Sequence, residues 1–151
     1  MSFQQDEFPD QFTSHESEED LKHQTETMLE FCRTWGFSAL SMPKDWVYDI
    51  TLISDTTPIS LAEIKYRYHR YGKHQTYTID KWKVDMIRRE ARERGLSALL
   101  IVSWLGEIKF TDLRGDYRLD KQTRKKPTKG KSAPRRELTD VVYHIPIVDF
   151  H

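Results

Sequence analysis

The stretch WVYDITLISDTTPISLAEIKYRY, residues 46–68, decides the fold of this chain. Its two halves, residues 46–53 and 59–68, are rich in β-branched and aromatic residues, which favour strands. Between them, Ser-Asp-Thr-Thr-Pro at residues 54–58 has the composition of a turn. We therefore predict that the two halves pair as a hairpin of strands.

Three charged residues interrupt the apolar pattern of this hairpin. Asp49 lies in the first strand, and Glu63 and Lys65 lie in the second. Residues two apart on a strand point the same way, so Glu63 and Lys65 share a face. Pairing of the two strands places Asp49 beside Glu63 across the ladder. The alternative is an ordinary surface face of a sheet that carries mixed charges.

Two neighbouring carboxylates are costly unless a cation lies between them. We expect Mg²⁺ or Mn²⁺, because a hard divalent ion takes oxygen ligands, here from Asp49, Glu63 and the carbonyl of Ile64. Such an ion lowers the pKa of a bound water and stabilises the charge that builds on a phosphate. Lys65 would hold the attacking water or neutralise the transition state.

Helices are predicted on either side of the hairpin. The first begins after Ser17 and ends at Gly36. The second covers residues 79–94 and ends at Gly95, after a segment at residues 66–77 that we predict to be mostly loop. The apolar stripe of the first helix is predicted to contain Leu21, Thr25, Met28, Leu29, Cys32 and Trp35.

The other predicted strands are shorter. They cover residues 37–42, 98–104, 108–113 and 141–148. The run at 98–104 is continuously apolar, as in a strand buried on both faces. Pro146 makes the strand at 141–148 an expected edge strand. Together these elements predict an α/β protein with a mixed β-sheet flanked by helices.

With Asp49 as a first acid and Glu63-Ile64-Lys65 as a second motif, the sequence resembles the PD-(D/E)xK nuclease superfamily. The resemblance implies an αβββαβ, restriction-endonuclease-like core, and the predicted elements from residue 18 to about 104 follow that order. The arrangement is similar to small members, the archaeal Holliday-junction resolvases and the virus-type replication–repair nucleases. In these, an acid on the first helix precedes a Gly-aromatic pair. Glu26 and Gly36-Phe37 match them here, whereas Tyr48 replaces the family's Pro before the first acid.

The resemblance implies a Mg²⁺- or Mn²⁺-dependent endonuclease that hydrolyses DNA phosphodiester bonds. Its expected catalytic residues are Asp49, Glu63, Lys65 and Glu26. DNA is expected because the resembling members act on DNA, and RNA stays an alternative. No separate recognition domain is visible, which favours recognition of a structure such as a junction, flap, nick or end. Symmetric cutting of a junction would need a homodimer.

Basic side chains near the acids are candidates for nucleic-acid binding. Lys81 opens the second helix, where many superfamily members place a polar residue against the scissile phosphate and where a helix N-terminus favours anions. Arg67, Arg70 and Lys73 lie in a segment that interleaves aromatic and basic residues, a mixture that suits stacking on bases and binding phosphates. The alternative is a set of ordinary solvated side chains.

The two ends of the chain differ in charge. Residues 1–16 are acidic and aperiodic and are predicted to be disordered, and residues 17–151 are predicted to form one domain. A flexible basic loop is predicted at about 120–137, because residues 121–136 contain eight Lys or Arg and no acid. Such a loop either contacts phosphates or is a plain solvated linker.

Several other functions are not expected from the sequence. No apolar run approaches the ~20 residues of a membrane span, and no secretory signal is visible, so we expect a cytoplasmic protein, including the host cytoplasm for a phage-encoded one. Cys32 is the single cysteine, and no zinc spacing or Gly-rich phosphate loop is present. Two rival functions stay open: a catalytically inactive nucleic-acid-binding module with the same fold, and an interaction protein that uses its charged ends.

Overall fold

The computed structural model describes residues 17–126 and 136–151. The acidic segment 1–16 and the middle of the predicted basic loop lie outside these residues. Neither helix within the described ranges is long and apolar enough to cross a membrane. The helices are α1 (Glu18–Trp35) and α2 (Lys81–Arg94), and the strands are β1 (Ser38–Ser41), β2 (Ile50–Ser54), β3 (Thr57–Arg67), β4 (Thr76–Asp80), β5 (Ser97–Trp104), β6 (Glu107–Asp112), β7 (Arg118–Lys126) and β8 (Arg136–Pro146).

The strands form two sheets. The larger has the order β1-β2-β3-β5-β6, and the smaller has the order β4-β8-β7. β3 and β5 are parallel, and the other neighbours in both sheets are antiparallel. A parallel pair needs a crossover connection, which α2 provides here. The structure thus confirms the predicted α/β fold with a mixed sheet and an αβββαβ order, in which β4 is an addition.

The larger sheet separates two apolar layers. Ala62 and Ile64 of β3 pack on one face with Phe31 of α1. Leu61 packs on the other face, with Val84 of α2 and the inner side of the smaller sheet. Because side chains alternate along a strand, Glu63 and Lys65 point to the same side as Leu61, toward α2.

The limits of α1 agree with the sequence, and its predicted stripe is confirmed in part, because Met28 and Cys32 pack against the apolar layer that contains Phe31. Ser17 and Asp20 form a capping box, and Gly36 ends the helix with φ 74°. Leu21, Leu29 and Trp35 of the predicted stripe are exposed. The fully buried positions are Thr27 and Phe31, and Asp20 and Gln24 on the same side of the helix are partly buried. Thr27 can be buried because its Oγ1 donates to the His23 carbonyl at 2.7 Å. Because several residues on this face are polar, the hydrophobic pattern of the sequence did not reveal all of it.

The region after β3 differs from the prediction. Residues 66–77 were expected as a loop and residues 79–94 as a helix, whereas β4 covers Thr76–Asp80 and α2 begins at Lys81. β4 exists because it pairs with β8, as in Ile79 opposite Tyr143. A partner more than sixty residues away leaves no local signal of this pairing.

The predicted edge strand and the predicted basic loop are both corrected by the smaller sheet. β8 lies in the centre of that sheet, and Pro146 is tolerated because it is the last residue of the strand. Residues 118–126 are strand β7, paired with β8 from Arg118 opposite His144 to Lys126 opposite Arg136. A loop at about 120–137 is therefore wrong for these strand residues.

The outer edge of β6 carries a further backbone pairing. The Phe110 N–H donates to the His151 carbonyl at 3.0 Å, and the His151 N–H donates to the Phe110 carbonyl at 2.8 Å. Phe150, the neighbour of His151, is buried against Trp104 and Tyr77. The segment after β8 is thus attached both to the core and to this edge of the larger sheet.

Candidate active site

Strands β2 and β3 bring the two predicted acids together. Asp49 lies one residue before β2, and Ile50 is paired with Ala62, so Asp49 lies opposite Glu63. The Asp49 N–H donates to the Ala62 carbonyl at 3.0 Å. The Ile64 N–H donates to Asp49 Oδ2 at 2.7 Å, which fixes the side chain beside Glu63. The predicted juxtaposition of these two acids is therefore observed.

Glu63 is a buried carboxylate held by two lysines. It is 2% exposed. Lys83 Nζ lies 2.9 Å from Glu63 Oε2, and Lys65 Nζ lies 3.8 Å from Oε1. Oε2 is buried, and its contact with Lys83 is an ion pair outside the geometry of an ordinary hydrogen bond. The charges of the two lysines thus compensate the buried carboxylate.

The pKa values of the two acids are shifted in opposite directions. Burial raises the pKa of Asp49 well above its usual range, and the nearby Glu63 charge raises it further. Burial alone would raise the pKa of Glu63 as well, but Lys83 and Lys65 outweigh it and the pKa is lowered. Without a cation between them, Glu63 is the ionised partner and Asp49 retains a proton.

The residues present fit a hard divalent cation. Asp49 and Glu63 supply carboxylate oxygens, and Glu63 Oε2 is the buried oxygen that lacks a directed hydrogen bond. The Ile64 carbonyl points to the same side of β3 as the Ile64 N–H, which meets Asp49. Within the described ranges no three His, Cys, Asp or Glu side chains form a metal-binding group. An ion held here would therefore complete its coordination with water, as Mg²⁺ commonly does.

Helix α2 places a lysine beside the two acids, but it is Lys83 and not the predicted Lys81. Lys81 forms an ion pair with Asp85 on its own helix, and its Nζ lies 5.8 Å from the centre of the Tyr143 ring. Lys83 reaches Glu63. The two lysines flank the buried stripe of α2, which contains Val84, on opposite sides. The helical spacing in the sequence predicts that both lysines lie beside this stripe, but it does not predict which of them faces the acids.

Glu26 is not brought to the two acids. Helix α1 packs on the face of β3 that carries Ala62 and Ile64, opposite to Glu63. The Glu26 side chain is 58% exposed and lies 4.0 Å from Lys22 and 3.9 Å from His23. The His23 ring stacks on Tyr66 with centroids 4.1 Å apart. This part of α1 therefore lies at the end of β3 that carries the site, but on the other face.

The predicted nucleic-acid-binding residues after Lys65 occupy two environments. Arg67 is on the same side of β3 as Glu63 and Lys65, and its Nη2 donates to the Tyr77 hydroxyl at 2.6 Å. Arg70 and Lys73 are exposed in the connection between β3 and β4. Tyr77 was missed from the sequence because it lies on β4, the strand that local patterns did not reveal.

The chain was compared with protein families, with curated sequences and with solved structures. A family described as phage putative PDDEXK endonuclease matches residues 10–151 of the chain. No curated protein sequence matches it. Among solved structures, it is similar to Hjc, a Holliday junction resolvase of the archaeon Archaeoglobus fulgidus. The identity is 13% and the TM-score is 0.47, over 81% of this chain and 95% of that chain.

Proposed function

The chain belongs to the phage putative PDDEXK endonuclease family, and we propose that it is a metal-dependent endonuclease that hydrolyses DNA phosphodiester bonds. Membership confirms the PD-(D/E)xK resemblance drawn from Asp49 and Glu63-Ile64-Lys65. The observation that carries the proposal is the Asp49 carboxyl group fixed beside the buried Glu63, with Lys65 on the same face. An inactive binding module would have no need of this costly pair.

Each residue of the proposed site has a distinct role. Asp49, Glu63 and the Ile64 carbonyl are proposed to hold Mg²⁺ or Mn²⁺. Such an ion, when bound, activates a water and stabilises charge on the phosphate. Lys65, whose side chain is 34% exposed, can donate to the attacking water or to a phosphate oxygen. Lys83 keeps Glu63 ionised and therefore ready to act as a ligand.

The roles of the remaining candidates rest on weaker support. Glu26 is proposed only through its match to the family's helix acid, since it lies on the opposite face of β3. Arg67, Arg70, Lys73 and Lys81 are proposed to contact DNA phosphates, as is the basic region of residues 121–136. Arg70 and Lys73 are exposed, as such contacts require.

The proposed substrate is DNA with a structural feature: a junction, a flap, a nick or an end. The described residues contain no recognition domain beyond the fold itself, which favours shape over a long sequence. A homodimer is proposed for symmetric junction cutting, and action in the cytoplasm is proposed from the phage origin that the family description gives. RNA is the alternative substrate, and a parallel assay with RNA would detect its cleavage.

One experiment tests the proposed function. The purified protein is incubated with branched, nicked, single-stranded and linear DNA and with matched RNA, with Mg²⁺, with Mn²⁺ and with a chelator. We expect metal-dependent cleavage that is fastest on one of the structured DNA substrates and is abolished in Glu63→Gln. Binding without cleavage under every condition would favour the inactive binding module. Neither binding nor cleavage would favour the interaction protein.

A further inference from the structure

A cavity of about 310 Å³ lies where β3 ends and β4 begins. Trp104 of β5, which is buried, forms part of its wall. Polar side chains from β3, from β4 and from the connection between them form most of the rest, namely Arg67, His69, His74, Thr76 and Thr78. The cavity is therefore a concave polar site built on strands that the core holds in place.

The cavity is rich in hydrogen-bond donors and poor in negative charge. None of the described residues that line it is Asp or Glu, and Arg67 contributes a permanent positive charge. The rings of His69 and His74 meet edge to face, with centroids 5.0 Å apart. A guanidinium group with neighbouring imidazoles and hydroxyls favours an anion, and a guanidinium binds phosphate through two parallel hydrogen bonds.

The threonine hydroxyls are oriented by a histidine outside the cavity lining. His144 Nδ1 lies 3.3 Å from Thr76 Oγ1 and 3.2 Å from Thr78 Oγ1. His144 Nε2 lies 3.2 Å from Asp120 Oδ2. In the tautomer that donates from Nε2 to this carboxylate, Nδ1 is an acceptor. A ring nitrogen has one lone pair, so it accepts from one hydroxyl only. The other hydroxyl is left able to donate to a ligand.

Arg67 connects the cavity to the proposed active site. It lies two residues after Lys65 on the same face of β3, about 7 Å along the strand. Its guanidinium lies 4.7 Å from the centre of the Tyr77 ring and donates to the Tyr77 hydroxyl. Tyr77 is buried, so Arg67 is held in one orientation and its remaining donors are free to face the cavity.

From this geometry we propose that the cavity binds a second phosphate of the DNA strand, next to the phosphate that is cut. The inference rests on the proposed function, because it is the nuclease substrate that supplies the phosphate. Arg67 and one threonine hydroxyl donate to the phosphate oxygens, and His69 and His74 close the open side. The phosphate is either an internal phosphodiester or the terminal phosphate of a strand end, and the two give the enzyme different substrates.

The test measures binding in Ca²⁺, so that it does not depend on cleavage. Oligonucleotides carry one neutral methylphosphonate at a time along the strand, and a matched pair carries or lacks a terminal phosphate. Each is titrated with wild type, Arg67→Met and His74→Ala. Arg89→Met is the control for loss of charge, because Arg89 is exposed on α2 and pairs with Glu93. His74 is exposed, so His74→Ala alters the cavity without disturbing the core.

We expect wild type to lose about tenfold in affinity when one particular phosphate is neutralised or removed. Arg67→Met should bind about tenfold more weakly and lose nothing further at that phosphate, because interacting groups are not additive. His74→Ala should show a smaller effect at the same phosphate, and Arg89→Met should show none. The phosphate at which the two losses are not additive is the one that the cavity binds. Its position shows whether it is an internal phosphodiester or the terminal phosphate of a strand end.

The cavity is not a phosphate site if the affinity losses from Arg67→Met and from neutralising a phosphate add up at every position. The same conclusion follows if Arg67→Met and Arg89→Met give the same profile, or if wild type does not bind DNA. Cleavage of the same oligonucleotides in Mg²⁺ separates the two ideas. Coupling at one phosphate without cleavage counts against the proposed function alone. Cleavage without coupling counts against the phosphate cavity alone.

Discussion

Asp49 and Glu63 are neighbours, but their environments shift their pKa values in opposite directions. Burial and the charge of Glu63 hold a proton on Asp49, whereas Lys83 and Lys65 remove one from Glu63. Because the folded state raises the pKa of Asp49, it binds that proton more tightly than the unfolded chain does. The stability that this proton contributes is present in acid and is lost as the pH rises through the raised pKa. At neutral pH the unfolded chain ionises Asp49 freely, so the metal-free folded protein no longer has this stabilisation.

Asp49→Asn should make the metal-free protein more stable at neutral pH. The amide does not ionise, so it removes the cost of burying an acid beside Glu63, and it can still accept from the Ile64 N–H. The gain should shrink toward acidic pH, where Asp49 is protonated in wild type. Thermal unfolding with a chelator measures this. In Mg²⁺ the order should reverse, because only wild type gains stability from binding the ion. Equal midpoints at neutral pH would contradict the raised pKa of Asp49.

Lys65→Ala should slow cleavage by about 10²–10³-fold, the usual effect of removing one group that stabilises transition-state charge. Affinity for DNA in Ca²⁺ should change little, since the interaction develops in the transition state. Single-turnover cleavage and equilibrium binding on one substrate give both numbers. If rate and affinity fall in equal proportion, Lys65 is only a phosphate anchor.

Lys83→Met should destabilise the metal-free protein by about 3 kcal/mol, because it leaves Glu63 buried without its nearest cation. Lys81→Met is the matched control. Its ion pair with Asp85 is more than a third exposed and screened by solvent, so its loss should destabilise the protein much less. Urea denaturation with a chelator compares the two. A double variant, Lys83→Met with Glu63→Gln, should recover part of the loss, and failure to do so would exclude the ion pair as the cause.

Local chemistry explains which site residues the sequence could reveal. Asp49, Glu63 and Lys65 are charged residues in or next to apolar strands that are joined by a short turn, so spacing and alternation were enough to bring them together. Lys83 could not be distinguished from Lys81, because the choice depends on how α2 rotates against the sheet. Tyr77 and the cavity beside it depend on β4, whose partner β8 lies far along the chain.

At the scale of secondary-structure elements, the prediction succeeded where order is local. The ends of α1 follow from its capping box and from Gly36, and the pairing of β2 with β3 follows from the short turn between them. Hydrophobicity revealed the buried face of α1 only in part. Met28 and Cys32 pack against the core, but Thr27 is buried through a local hydrogen bond while Leu29 is exposed. The smaller sheet is assembled from distant segments, and it was the part most poorly predicted.

Within the basic region of residues 121–136, residues 121–126 belong to strand β7 and Arg136 begins strand β8. If this region contacts phosphates, replacing Lys129, Lys131 and Arg135 with Gln should weaken DNA binding and reduce the slope of log affinity against log salt by about 0.9 per lost contact on duplex DNA. These three residues lie outside the described ranges, so the prediction rests on their sequence alone. Titration at several salt concentrations measures the slope. An unchanged slope would make the region a plain linker.

At the scale of the whole molecule, we propose that residues 17–151 fold as one unit. The two sheets share one apolar layer, in which Leu100 of the larger sheet and Ile145 of the smaller belong to the same cluster. We expect a single cooperative transition in which fluorescence and circular dichroism give the same midpoint. Removing residues 1–16 should leave that midpoint unchanged. Two separated transitions would show that the sheets unfold independently.

The pairing of His151 with Phe110 has a consequence for self-association. Edge strands offer unpaired N–H and C=O groups to which another chain can add, and this is a common start of aggregation. On β6, the two groups of Phe110 are already bonded to His151. We therefore expect this edge to resist the addition of a further strand, and a protein without the 150–151 segment to aggregate more readily during refolding.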